Sequence, residues 1–346
     1  MNTCKSAFVV LLGLLSAPGI AQEQFALQMK YTAGEQRPMR LTFTGIGTLT
    51  IQGPGVPNQP SDLWMNGDIE LSQEIKSVDE RGTADIEMKL TKFDAEVQFM
   101  GMRQDIVVED DRVLVMMNDK VVFDSLDPEQ AKKNPMLELI GQGFIVRQDR
   151  TGKIVGLPQL ELILKMMLPD SDFQGAMERS TGPLPAGLVK VGDTWEERQV
   201  WPYGAPEGEE PPAFVTLHEF AEVVNVAGHK CAKITSTSNI NLADVSLPMP
   251  TLMPGMGGQG PTQMSLVINK MVMDLASTGH FDIERGVPLS ADSALTLNME
   301  MTQRMKLPPP PQEGQQEAEG VEEPQEIEIT VSIEDFAIDI AMELAQ

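Results

Sequence analysis

Val78-Asp79-Glu80-Arg81-Gly82-Thr83-Ala84-Asp85-Ile86-Glu87-Met88-Lys89-Leu90 decides the fold class. From Ala84 to Leu90 every second side chain is apolar, the period of a strand with one covered face. A helix would need its apolar residues three and four apart. Val78–Gly82 reads as a turn, with glycine where a positive φ is required. Upstream, Ile69-Glu70-Leu71 through Ile75 alternates in the same way, so the segment predicts an antiparallel hairpin.

The same signal recurs along the chain. Leu41-Thr42-Phe43-Thr44 opens an alternating stretch that runs to Ile51, and Asp110-Asp111 and Asn118-Asp119 punctuate three short runs between Gln104 and Phe123. Ile327-Glu328-Ile329-Thr330-Val331 alternates strictly, and a second run follows with Phe336, Ile338, Ile340, Met342 and Leu344 apolar. Two helices are predicted. Pro128 to Lys133 is short, with Asp127 as its cap. Pro158 to Leu168 (helix 158–168) carries Leu160, Ile163, Leu164 and Met167 at helical spacing and stops at Pro169. The expected fold is mainly β: antiparallel sheets as a sandwich or open half-barrel, in two related halves with one or two packed helices.

Four stretches rich in Pro and Gly interrupt the strands: Gln52–Pro60, Pro202–Pro212, Leu247–Pro261 and Pro308–Pro324. The first three predict long loops at hairpin tips. The last, an insertion over 308–325, is dominated by Pro, Glu, Gln and Gly and has too little apolar surface to offset ordering. A weak internal repeat divides the chain: Val78–Gly82 matches Val224–Gly228, and Gly143-Phe144-Ile145-Val146-Arg147 with its turn at Gly152 matches Gly279–Arg285 with its turn at Gly286.

Met1–Lys5 with one positive charge, an apolar run from Ser6 to Leu15, and the small-residue ending Gly19-Ile20-Ala21 form the pattern of an export signal. Pro18-Gly19 breaks the run before it reaches the ~20 residues of a membrane span. The expected division is therefore 1–21 as signal peptide, 22–184 as a first β-rich half and 185–346 as a second, in the periplasm or outside the cell. The formal net charge is −25, which repels phosphates and sets nucleic acid aside as a partner. Only two cysteines are present, Cys4 in the signal and Cys231, so the processed chain forms no internal disulfide.

Several residue groups invite a chemical reading. Met249, Met253, Met256 and Met264 cluster in a Pro/Gly-rich loop, with Met271 and Met273 just beyond. Thioethers suit Cu(I), but methionine also fills irregular apolar gaps, and its spread through Met88, Met100, Met102, Met116, Met117, Met299 and Met301 favours packing. Asp170-Ser171-Asp172-Phe173-Gln174-Gly175 begins like a calcium loop yet has Thr181 where a bidentate glutamate belongs, so a capped turn is expected. His229 and Cys231 share a strand face, but two ligands are too few for a metal, and Cys231 is expected on the more polar side. His218 and His280 lie in strand patterns, and no serine sits in a Gly-x-Ser-x-Gly elbow, so no enzyme and no cofactor are expected.

Leu27–Glu35 ending Tyr31-Thr32-Ala33-Gly34-Glu35, the strand pair Gly143–Val155, and Val191-Gly192-Asp193-Thr194-Trp195 together resemble an uncharacterised family of exported bacterial β-rich proteins, a domain of unknown function. The resemblance implies the β fold and brings no catalytic residues. Two functions fit these readings. One is an envelope binding or carrier module for an apolar ligand, touched by Leu160, Ile163, Leu164 and Met167, and similar in plan to lipoprotein carriers. The other is an envelope protein whose long hairpin loops contact another protein.

Overall fold

The computed structural model describes residues 23–55, 58–109, 112–131, 143–158, 172–201, 211–248, 263–307 and 325–344. In the first half these form β1 (Phe25–Ala26), β2 (Gln36–Gln52), β3 (Pro60–Val78), β4 (Ala84–Phe99), β5 (Met102–Glu109), β6 (Arg112–Met117), β7 (Lys120–Asp124), α1 (Pro128–Ala131), β8 (Phe144–Gln148), β9 (Ile154–Gly156) and α2 (Phe173–Arg179). Then follow β10 (Leu188–Val189), β11 (Thr194–Val200), β12 (Ala213–Val226), β13 (His229–Pro248), β14 (Gln263–Asp282), β15 (Val287–Leu307) and β16 (Gln325–Leu344). The fold is mainly β, as the alternation predicts.

One antiparallel sheet holds fourteen of these strands, in the order β11-β12-β13-β14-β15-β16-β2-β3-β4-β5-β6-β7, with β8 beside the first part of β4 and β9 beside β8. No pairing joins β11 to β7, so the sheet is open rather than a barrel. The last strand lies next to β2, from Thr330↔Gln52 to Leu344↔Met39, which fuses the two halves into one surface. Strands of 20 residues reach about 65 Å at about 3.3 Å per residue. Such lengths arise because the two-residue period continues across local irregularities. The two alternating runs near the C-terminus, for example, are one strand. Its register shifts between Glu334 and Ala337, where Asp335 takes φ 49° and its N–H donates to Asn298 Oδ1 at 2.9 Å.

The two ends of the sheet differ. At one end, the connections β2–β3, β11–β12, β13–β14 and β15–β16 coincide with the four Pro/Gly-rich stretches, so all four join neighbouring antiparallel strands. At the other, short turns carry glycines with positive φ, Gly82, Gly228, Gly152 and Gly286, and here the core is dense. Phe25, Leu27, Leu184, Val189, Phe220, Ala232 and Phe281 form one buried cluster; Ile75, Ala84 and Ile86, with Tyr31 against them, form another.

A strap of chain over residues 25–35 runs across both clusters. Phe25, Leu27 and Met29 pack on the second half and Tyr31 on the first. Consecutive residues tie it to both: Met29 N donates to Arg150 O at 2.8 Å and Lys30 N to Gly286 O at 3.0 Å. Each half then repeats one backbone clamp. Gly34 N donates to Ile75 O (2.7 Å) and Ile75 N to Glu35 O (2.9 Å). Likewise Gly192 N donates to Phe220 O (2.7 Å) and Phe220 N to Asp193 O (3.0 Å). A β-bulge follows both times, between Ile75 and Ser77 and between Phe220 and Glu222.

Two local expectations change. Asp172 does cap, but it caps a helix: its Oδ1 accepts Gly175 N at 2.9 Å at the start of α2, a helix the sequence reading missed. Of the predicted helix Pro128–Lys133, Pro128–Ala131 are helical as α1 and the rest lies outside the described residues. Cys231 is fully buried rather than on a polar surface, in one row with the buried Asp282 of β14 and Val287 of β15. Burial, then the nearby Asp282 charge, pushes its thiol pKa up, so it is a packed hydrophobe and a poor nucleophile.

Candidate functional site

Residues paired across an antiparallel ladder share a face, so the register sorts the whole sheet. One row runs Ser238, Leu275, Leu295, Ile338, Gly45, Met65, Val97 across seven strands. Next to it on the same face lie Ile240, Met273, Leu297 and Phe336, then Leu242, Met271, Met299, Ile333 and Leu49. A row on the opposite face reads Thr235, Thr278, Asp292, Ala341, Thr42, Asp68, Asp94. One face of the sheet is therefore apolar and rich in methionine, and the other is small, hydroxylated and acidic.

The apolar face is only partly covered. Ile240, Leu242, Ile268 and Phe336 are buried, whereas Met271, Met273, Leu275, Leu295, Leu297, Met299, Met301 and Ile338 are half-buried. Phe336 is fitted closely: a Cβ on Gly47 would stand 2.7 Å from its Cα, and one on Gly45 would stand 3.0 Å from its ring, so both glycines are required for the ring to lie flat on β2. A hollow of about 650 Å³ between β13 and β2 is lined mainly by Thr and Ala with Asp292 and Asp339. It offers no basic group to hold an anion.

Where the apolar face meets the buried cluster it carries a polar row: Trp195, His218, Ser236, Ser277 and Ser293 on β11 to β15. His218 is buried, with Nδ1 2.7 Å from Ser236 Oγ and Nε2 3.1 Å from Glu197 Oε2. Trp195 stacks on its ring at 5.5 Å and 23° and donates its indole N–H to Pro183 O. Glu197 is buried too, and its other oxygen accepts Gln199 Nε2 at 2.8 Å. Elsewhere, His229 Nδ1 lies 2.9 Å from Asp282 Oδ2, close enough to attract but not aligned as a hydrogen bond, so that buried oxygen has no donor.

Of the predicted ligand contacts, Leu160, Ile163, Leu164 and Met167 lie outside the described residues, as do Met249, Met253 and Met256. Met271 and Met273 stand on the apolar face, opposite Met299 and Leu297 of β15, and Met301 lies opposite Ile268. Among the described residues no three His, Cys, Asp or Glu side chains converge as a metal site, and no helix is long and apolar enough to cross a membrane. The grouping of Glu197, His218 and Ser236 was missed by sequence reading, since they are 21 and 18 residues apart. Only the pairing register of three strands brings them together.

No family model matches the chain, and no curated protein matches it. Among solved structures, OccK5 (OpdH) of Pseudomonas aeruginosa aligns with 7% identity over 90% of this chain and 99% of that one, at a TM-score of 0.15. That score is too low to indicate a shared fold.

Proposed function

We propose that this is an exported binding or carrier module that holds an apolar ligand on the methionine-rich face of its sheet. One observation carries the reading: three adjacent rows of large apolar side chains, most of them half-buried, on a single sheet. A continuous apolar surface of this kind marks a binding site. Methionine suits it, because a flexible, polarisable thioether adapts to varied ligand shapes. A hydrocarbon chain laid there gains about 0.8 kcal/mol for each CH₂ removed from water. The export signal over 1–21 and the resemblance to exported β-rich proteins belong to the same proposal, and we read the two matched clamps as the mark of a duplication.

The test is binding of a fluorescent fatty-acid probe by the full processed chain. Leu295→Asp, in the middle of the apolar face, should weaken uptake at least tenfold, whereas Thr296→Asp, pointing the other way, should leave it unchanged. Failure of the wild-type chain to bind the probe would sink the reading. The gathering of four long connections at one end of the sheet supports the alternative, an envelope protein that contacts a partner through those loops. Shortening the β11–β12 and β15–β16 connections would then abolish partner capture while probe binding persisted.

A further inference from the structure

We propose that Ser236, His218 and Glu197 form a hydrolytic site for carboxylic esters of apolar acyl chains. The three side chains come from adjacent strands β13, β12 and β11 and are joined by hydrogen bonds of 2.7 and 3.1 Å. In the neutral tautomer that suits this geometry, the imidazole N–H is on Nε2 and donates to the accepting carboxylate of Glu197. Nδ1 is left with its lone pair and accepts the Ser236 hydroxyl. That is the nucleophile, base and orienting acid of acyl transfer, recognised by geometry rather than by position in the chain.

Three surrounding features fit the role. Glu197 is held by Gln199 and the imidazole by the stacked Trp195, so the base is fixed on both sides. Ser236 and His218 line a cavity of about 260 Å³ whose other walls include Ile234, Ala291 and Met342. Ser277, the register partner of Ser236 on β14, also lines it. It stands where a donor could meet the oxygen of a carbonyl bound over Ser236. The molecule contains its own contrast: His280 Nδ1 lies 3.0 Å from Ser290 Oγ, but no carboxylate holds that imidazole among the described residues.

The reaction consumes one ester and one water. Ser236 Oγ bonds to the carbonyl carbon as its proton passes to His218 Nδ1, and Glu197 stabilises the imidazolium. The tetrahedral intermediate collapses, the ester C–O bond breaks, and the alcohol leaves with the proton from His218. Water, deprotonated by His218, then attacks the acyl-serine. The carboxylic acid departs and the proton returns to Ser236. Ser236 and His218 are the catalytic residues; Glu197 is a positioning residue. No Lys or Arg lines the cavity, and the substrate proposed is an ester of a neutral alcohol. The preference for long acyl chains rests on the apolar-face reading above; the site itself does not.

The test is labelling of the full processed chain with a fluorophosphonate, located by peptide mass spectrometry, beside turnover of p-nitrophenyl butyrate and palmitate. We expect an adduct on Ser236 and turnover that falls at least 100-fold in Ser236→Ala and in His218→Ala, each checked for retained folding by circular dichroism. Thr296→Ala, on the opposite face of the sheet, should leave turnover unchanged. Glu197→Gln should lower kcat at least tenfold, leave KM nearly constant and change the pH profile of kcat. An unlabelled wild-type Ser236, or wild-type turnover no higher than that of Ser236→Ala, overturns the proposal. Turnover of butyrate with no preference for palmitate supports the site while counting against the apolar-face reading. Fatty-acid uptake with no labelling and no turnover does the reverse.

Discussion

The two backbone clamps are alike to within 0.1 Å in their paired hydrogen bonds, yet the halves are held by different physics. In the second half the clamped residue is Phe220, whose ring meets Phe25 edge-on at 5.6 Å within a cluster that includes Leu27, Val189 and Phe281. In the first half it is the smaller Ile75, and much of the work falls to polar groups. Arg37 is buried and donates from Nε to Glu35 Oε1 at 3.0 Å and from Nη2 to Glu35 Oε2 at 2.9 Å, and again to Lys30 O, while its guanidinium lies 5.4 Å from the Tyr31 ring. Tyr31 in turn donates to Gln148 Oε1 at 2.9 Å. The same main-chain device tolerates an apolar or a polar surround because its own bonds need neither.

The largest effect should come from the apolar side. Phe220→Ala should destabilise by about 3–5 kcal/mol, because the clamp leaves the site little freedom to collapse onto the cavity. Ile75→Ala should cost less, about 2–4 kcal/mol, since its cluster is smaller. Urea titrations of both variants give the order directly, and equal losses would show that the two halves are packed alike after all.

The polar side should instead respond to pH. The Arg37 hydrogen bond holds the Glu35 carboxyl below its usual range. A folded-state pKa below the unfolded value, about 4.3, contributes stability that is complete above that pH and is lost as the pH falls towards the folded value. Glu35→Gln should therefore lower stability at pH 6 by about 1–3 kcal/mol, the cost of weakening a buried charged group's hydrogen bonds. The gap from wild type should narrow at pH 3. A gap that stays constant between the two pH values would remove Glu35 from the account.

A smaller contrast separates the turn glycines. Both Gly82 (φ 82°) and Gly228 (φ 90°) have backbones that L-residues avoid, so alanine at either should cost about 1–2 kcal/mol. At Gly82, however, a Cβ would stand 2.0 Å from Arg150 Nε, whereas Gly228 has open space. Thermal denaturation should rank Gly82→Ala below Gly228→Ala by a few tenths of a kcal/mol, the cost of moving a flexible side chain.

Much of this architecture is legible from alternation. Residues 84–90 read as a strand and lie in β4, and the first three Pro/Gly-rich stretches read as hairpin tips and connect paired strands. Helix α2 escaped because Phe173–Arg179 is short and contains Gly175, leaving only the Asp172 cap as a signal. Cys231 was misplaced because period two assigns a side chain to a face but does not say whether that face is covered.

The sequence by itself determined that strands dominate and which side chains share a face. Both follow from a two-residue period, which is local. It could not determine which strands are neighbours. That β16 closes against β2, that Met273 meets Leu297, and that Glu197, His218 and Ser236 join hands across three strands were decided only by the tertiary structure. The reason is physical: register is set by hydrogen bonds between residues far apart in the chain, and a shift of two residues would keep every face while separating every one of these contacts.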